Sequence, residues 1–249
     1  MADYSTVDAR PVKRFFVEML TRDITVEEAI LDLLDNCVDG ILRSFPQLPE
    51  GEKPYDGFSA KITVNKDIFQ IEDNCGGIPW SEHERAFRMG RPNSSNHGAD
   101  EGPLSVGVYG IGMKRAIFKM GTEALIWTQN GENNYEVDIS PNWVASEDNW
   151  DLEVKEGAKG MAQDGTLIIV QNLYRDVSEH FAAESFEKNL LEKIESHYAV
   201  IIRKGFIVQV NDKFAKPKPI IFRFNASKNQ DGTEVKPFMY RSVDDGVEI

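Results

Sequence analysis

Apolar and polar positions repeat with two different periods along this chain, and the change of period separates helices from strands. Between residues 28 and 41, apolar residues recur three and four apart, at Ile30, Leu31, Leu33, Leu34, Val38 and Ile41. That spacing gathers them on one side of an α-helix. Thr25-Val26-Glu27-Glu28 reads as a capping box, in which a hydroxyl and a carboxylate satisfy free backbone N–H groups, so the helix start is well signalled. Phe186, Leu190, Leu191, Ile194, Tyr198 and Ile201 repeat the pattern and predict one amphipathic helix over residues 184–202. Shorter helices are expected over 81–88 and 113–120. Alternation with period two predicts a hairpin of 58–64 and 67–72 around Asn65-Lys66, with further strands at 123–128, 135–139, 151–155 and 166–171. Another strand run begins at 206–210 and continues to the end. The first two dozen residues, with Phe15-Phe16 and Met19-Leu20, read as an arm or short helix.

Three prolines and two glycines make residues 45–57 a loop. Residues 90–112 crowd glycine, proline, serine and asparagine into one stretch, and a loop this long inside a domain is a lid or an insert. The last residues, Asp245-Gly246-Val247-Glu248-Ile249, read as a turn entering a strand. The expected organisation is one domain over 1–204, with a lid at about 90–112, followed over 205–249 by the start of a truncated second domain or an extension of the sheet.

Composition narrows the function classes. The chain has 249 residues, 41% hydrophobic and 28% charged, an ordinary mixture able to bury a real core. A net charge of -13 disfavours a broad nucleic-acid-binding face, although a local basic groove is compatible with it. No apolar run reaches membrane-spanning length and no signal-peptide pattern opens the chain. Cys37 and Cys75, its two cysteines, suit a reducing, cytoplasmic setting better than a disulfide framework.

Four motifs carry chemistry. Asp32, Asn36 and Asp39 fall on one stripe of the capped helix among greasy neighbours, and burying two carboxylates and an amide is costly without a partner. A hydrated divalent cation is the economical partner, taking oxygen ligands while keeping several waters. Asp73 with Gly76-Gly77-Ile78 ends a strand; a carboxylate there can accept a hydrogen bond from the exocyclic amine of adenine, and glycines let the backbone approach the base. Gly107-Val108-Tyr109-Gly110-Ile111-Gly112-Met113-Lys114 opens a helix, where free N–H groups meet phosphates. It has neither the Rossmann context nor the Walker spacing. Asp164-Gly165-Thr166 is a turn into an apolar strand, where the hydroxyl can hold a water against adenine or support Asp73. Alone, each motif also reads as something ordinary: a polar helix edge, a tight turn, a solvated lysine, a hairpin.

In this order the four resemble the GHKL (Bergerat-fold) ATPases, which include gyrase B, the ninety-kilodalton heat-shock chaperones, histidine kinases and MutL; the L-x-D-N-x-x-D and G-x-Y-G-x-G-x-K runs are most similar to MORC-type members and their bacterial relatives. The resemblance covers roughly residues 20 to 205. It implies an α+β fold: a two-layer α/β sandwich with a mixed, mostly antiparallel sheet, helices on one face and an ATP lid. It implies ATP and Mg2+ as ligands, with Asn36 on the metal, Asp39 beside it, and Asp73 and Gly77 at the adenine. Ile78 and Met89 would line the base, and Gly107, Tyr109, Gly110, Ile111, Gly112 and Met113 would cradle phosphates. Lys114 would neutralise the terminal phosphate, Thr166 would support the base pocket, and Asp32 would activate water. Two departures stand out: Asp32 replaces the glutamate of the chaperone, MutL and MORC branches, and Cys75 occupies the first glycine position of the adenine box. No phosphoacceptor histidine precedes the site, which argues against the kinase branch. The resemblance further implies slow ATP hydrolysis, ATP-dependent homodimerisation through the N-terminal arm, and a client protein or DNA engaged by regions beyond this chain. The alternative is an ATP-binding module with negligible hydrolysis that serves interaction or regulation.

Overall fold

A computed structural model describes residues 12–45, 47–88, 111–157 and 160–218, together with the backbone of 243–244 and 247–248. Two compact units divide the chain, Met1–Pro217 and Lys218–Ile249. In the second, β9 (Val243–Asp244) pairs antiparallel with β10 (Val247–Glu248).

The first unit is built on one eight-stranded sheet. Its strands are β1 (Ser59–Val64), β2 (Phe69–Asp73), β3 (Gly121–Asn130), β4 (Asn133–Ile139), β5 (Val154–Glu156), β6 (Gly165–Leu173), β7 (Ile207–Val210) and β8 (Lys213–Phe214). They lie in the order β5-β4-β3-β6-β2-β1-β7-β8. Every pairing is antiparallel except β1 with β7, which runs parallel with Ser59 opposite Ile207. Alternation decides which face is covered: Ile62, Phe69, Ile126, Val137, Val170 and Val210 are buried. Their neighbours Leu125, Trp127, Leu167 and Ile169 are only half-buried.

Helices cover the buried face. They are α1 (Lys13–Thr21), α2 (Val26–Ser44), α3 (His83–Phe87), α4 (Gly112–Met120), α5 (Pro141–Ala145), α6 (Arg175–Phe181), α7 (Glu184–His197) and α8 (Ala199–Arg203). A single 3-10 turn, Trp80–Glu82, precedes α3. The capping box forms as expected: Thr25 Oγ1 accepts from the Glu28 N–H, and Glu28 accepts from the Thr25 N–H at 2.7 Å. From α2, Ala29, Ile30, Leu33, Leu34 and Ile41 enter the core, and α4 and α7 pack beside it. The architecture is the expected α+β sandwich.

The single helix expected over 184–202 is two, α7 and α8, separated at Tyr198. Periodicity alone carries through such a break. Tyr198 is buried, and its hydroxyl reaches α2, donating to the Leu31 carbonyl at 2.9 Å and to Asp35 Oδ1 at 2.6 Å. The strand expected at 151–155 is the shorter β5, and α5 and α6 carry too few apolar repeats to show in the pattern. Most of the expected lid, residues 90–110, lies outside the described residues. Among those described, no helix is long and apolar enough to cross a membrane.

Candidate nucleotide site

Strand β2 delivers Asp73 to the sheet's rim, where the following turn folds back under α2. Asp73 Oδ1 accepts from the Cys75 N–H at 2.8 Å, and Oδ2 accepts from the Cys37 thiol of α2 at 3.6 Å. The backbone of Thr166 also hydrogen-bonds to this carboxylate. Desolvation outweighs these donors and pushes the Asp73 carboxyl up to about 6. The hydrogen bond with Cys75, burial and the nearby Asp73 carboxylate push the Cys37 thiol well up, and both cysteines are buried and free of a disulfide.

Two glycines then turn the chain with φ of +97° and +65°, at Gly76 and Gly77, a region that side chains rarely adopt. Crowding adds to the requirement, since a Cβ on Gly77 would stand 1.9 Å from the Gln129 carbonyl oxygen. The turn is pinned on all sides. Arg43 donates to the Gly77 carbonyl at 2.6 Å, Thr128 Oγ1 accepts from the Ile78 N–H at 2.8 Å, and the Tyr135 hydroxyl donates to the Ile78 carbonyl at 3.1 Å. Asn130 donates to the Gly76 carbonyl at 2.7 Å. On the other side, Gly40 of α2 lets the helix approach Cys75, whose carbonyl oxygen would be 2.6 Å from a Cβ there. The outcome is a backbone held rigid before any ligand arrives.

The second half of the site is where α4 begins. Its N-cap, Ile111, makes no side-chain hydrogen bond to the helix, so among the described residues no side chain caps the N–H groups at the positive end of the helix dipole. Asp32 of α2 stands there: a Cβ built on Gly112 lies 3.7 Å from Asp32 Cβ, ordinary contact. Arg115, one turn into α4, donates through Nη2 to Asp32 Oδ2 at 2.5 Å and through Nε to the same oxygen at 3.1 Å. Lys114 is buried, its Nζ donating to the carbonyls of Ala86 at 2.6 Å and Arg88 at 2.9 Å at the end of α3.

The sequence-derived residues therefore gather in two groups along α2. Asp73, Gly77, Ile78 and Thr166 form one cluster; Asp32, Ile111, Gly112 and Met113 form the other. Met89, Gly107, Tyr109 and Gly110 lie outside the described residues. One expectation needs correction. The stripe was read as buried in oily surroundings, but Asn36 is exposed, Asp32 and Asp39 are half-buried, and Asp32 is already paired with Arg115. Helical spacing puts three residues on one side without saying that the side is covered. Lys114 likewise has two carbonyl partners that its spacing did not foretell. Sequence reading missed Arg43, Arg115, Thr128 and Tyr135. Thr128 and Tyr135 left a faint signal, polar atoms at positions whose alternation points to the covered face; the arginines left none.

A family model described as histidine kinase-, DNA gyrase B-, and HSP90-like ATPase matches residues 24–164. No curated protein matches the chain. The matched stretch exceeds half of the 249 residues and takes in α2, the Asp73 turn and the start of α4. On that match the chain belongs to the histidine kinase-, DNA gyrase B- and HSP90-like (GHKL) ATPases.

Proposed function

We propose that this ATP-binding domain takes Mg-ATP, hydrolyses it slowly and serves as a nucleotide-driven conformational switch. The observation that carries the reading is the span of α2: Cys37 and Gly40 touch the Asp73 turn, while Asp32 meets the open start of α4. One rigid helix thus links a base-reading end to a phosphate-type end. Asp73 would accept the adenine amine, with Ile78 against the ring and Gly77 and Thr166 shaping the approach. Met89 would join Ile78 at the base, and the N–H groups of Gly112 and Met113 would face phosphate oxygens, with Gly107, Tyr109, Gly110 and Ile111 completing the surround. Lys114 would add positive charge from beneath.

Asn36 fits a cation role because its amide is exposed and its side chain makes no hydrogen bond among the described residues. A magnesium ion here would be held mainly by water and phosphate. When bound, magnesium would neutralise phosphate charge. Asp39, one helical turn further on, would add negative charge beside the ion. Asp32 would take a proton from the attacking water as its oxygen bonds to the terminal phosphorus and the bridging P–O bond to ADP breaks; the proton then passes to solvent. The exposed apolar side of α1, with Val12, Phe15 and Met19 at 43%, 54% and 51% exposure, suits the ATP-dependent homodimer contact. A client protein or DNA would engage regions beyond this chain.

Phosphate release and binding of a non-hydrolysable ATP analogue, measured on Asp32→Asn, Asp32→Glu and Asp73→Asn, test the assignment. Asp32→Asn should lower turnover at least ~10-fold with binding preserved, as loss of a general base does. Asp73→Asn should weaken binding ~10-fold or more, the scale of a lost charge-assisted hydrogen bond. Unchanged turnover in Asp32→Asn sinks the base role. The pairing of Asp32 with Arg115 favours a second reading, binding without hydrolysis. Its signature is a melting point raised by Mg-ATP with phosphate release no faster than in buffer.

A further inference from the structure

We infer that Arg115 is a positioning residue for Asp32, holding one carboxylate oxygen so that the other faces the reacting water. The inference rests on the proposed base role of Asp32. Both guanidinium donors converge on Oδ2, at 2.5 and 3.1 Å, and Oδ1 has no hydrogen-bond partner among the described residues. A carboxylate otherwise turns in a broad two-fold well about its terminal bond. Two donors from one planar group remove that freedom. Base, orienting group and open helix start then form one constellation, the arrangement in which a third group aims the base.

The elements that supply the pair are themselves fixed. Asp32 sits mid-way along α2 between buried Leu31 and Leu33, and Arg115 precedes buried Ala116, Ile117 and Phe118 of α4. The pair is half-buried, with side-chain exposures of 30% and 23% for Arg115 and Asp32. This geometry also answers the missing methylene of Asp32: a short side chain with few rotamers is more easily aimed by a neighbour than a glutamate is.

The test uses the full chain with Arg115→Gln, Arg115→Lys, Asp32→Asn and the double variant Arg115→Gln/Asp32→Asn, reading kcat and the Kd of a non-hydrolysable ATP analogue with magnesium. Arg115→Gln should lower kcat ~10-fold or more while Kd changes less than ~3-fold, because misaligning a reacting group costs rate rather than affinity. Arg115→Lys, a point charge without the fork, should restore part of the rate. On the Asp32→Asn background Arg115→Gln should add nothing further. An Arg115→Gln enzyme with normal kcat overturns the inference, as does a ~10-fold rise in Kd at normal kcat, which would make Arg115 a phosphate ligand. If Arg115→Gln does not fold, Arg115→Lys decides: a lowered kcat at normal Kd supports the inference and a normal kcat overturns it. Asp32→Asn with normal turnover removes the base reading and this inference together. A slow Asp32→Asn beside a normal Arg115→Gln removes the inference alone.

Discussion

Gly165 and Asp73 meet so closely that a Cβ on the glycine would stand 1.9 Å from the Asp73 carbonyl oxygen. Strand β6 and the end of β2 have no space for any side chain at this point. Gly165→Ala and Gly77→Ala should each destabilise the domain by ~3 kcal/mol or more, through overpacking against backbone that cannot step aside. Gly131→Ala is the control: nothing lies within 4 Å of its Cβ position, and only its φ of +60° is strained, which costs ~1 kcal/mol. Urea unfolding measures the difference, and a Gly165→Ala domain as stable as the control would contradict the contact.

Asp73 makes both stability and nucleotide affinity depend on pH. Its carboxyl titrates near 6 in the fold against an ordinary 3.8, so the folded state binds the proton more tightly than the unfolded chain. A raised carboxyl contributes its stability in full below the unfolded value and loses it as pH climbs through the folded value, a change of ~3 kcal/mol. Affinity should move the other way. In the proposed role the ionised carboxylate accepts from adenine, so ATP binding should tighten as pH rises through about 6 and release a proton there. Calorimetry in buffers of different ionisation enthalpy reads that proton. Affinity that is flat between about pH 5 and 7.5, or an equal slope in Asp73→Asn, would remove the link.

Tyr198 ties the end of α7 to α2 through the Leu31 carbonyl and Asp35 Oδ1. Burial holds the Tyr198 hydroxyl protonated, its pKa raised, and Asp35 is also raised by burial. Tyr198→Phe should cost ~1–3 kcal/mol, the penalty for leaving buried acceptors without a donor. A thermal melt without ligand checks it; an unchanged melting point would show that water replaces the hydroxyl.

Lys114 carries a structural load whatever it does for phosphate. Its ammonium joins the Ala86 and Arg88 carbonyls where α3 ends. Lys114→Met should therefore lower nucleotide-free stability by ~2 kcal/mol, again as unsatisfied acceptors. If melting without nucleotide is unaffected, those two bonds contribute nothing to the fold.

Local patterns were legible where one element decides the outcome. The capping box at Thr25 and Glu28, the hairpin of β1 and β2, and the alternation of β3 and β6 are all short-range facts, and they recur as read. The pairing of Arg115 with Asp32 across two helices is set by how α4 packs on α2, which no local period encodes. Exposure of Asn36 escaped for the same reason: a helix face is named by spacing, but its covering comes from the rest of the chain. The break at Tyr198 escaped because apolar repeats continue through it.

The sheet order has a practical consequence for dissecting this molecule. The family match stops at Asp164, yet β6 begins at Gly165 and lies between β3 and β2 in the middle of the sheet. Cutting at the edge of the match would excise a central plank and leave two halves with raw hydrogen-bonding edges. Even a cut after α8 would strip β7 from β1, and bare edges of that kind invite aggregation. Any shortened version meant to stay monodisperse has to run at least through Phe214, where β8 closes that flank.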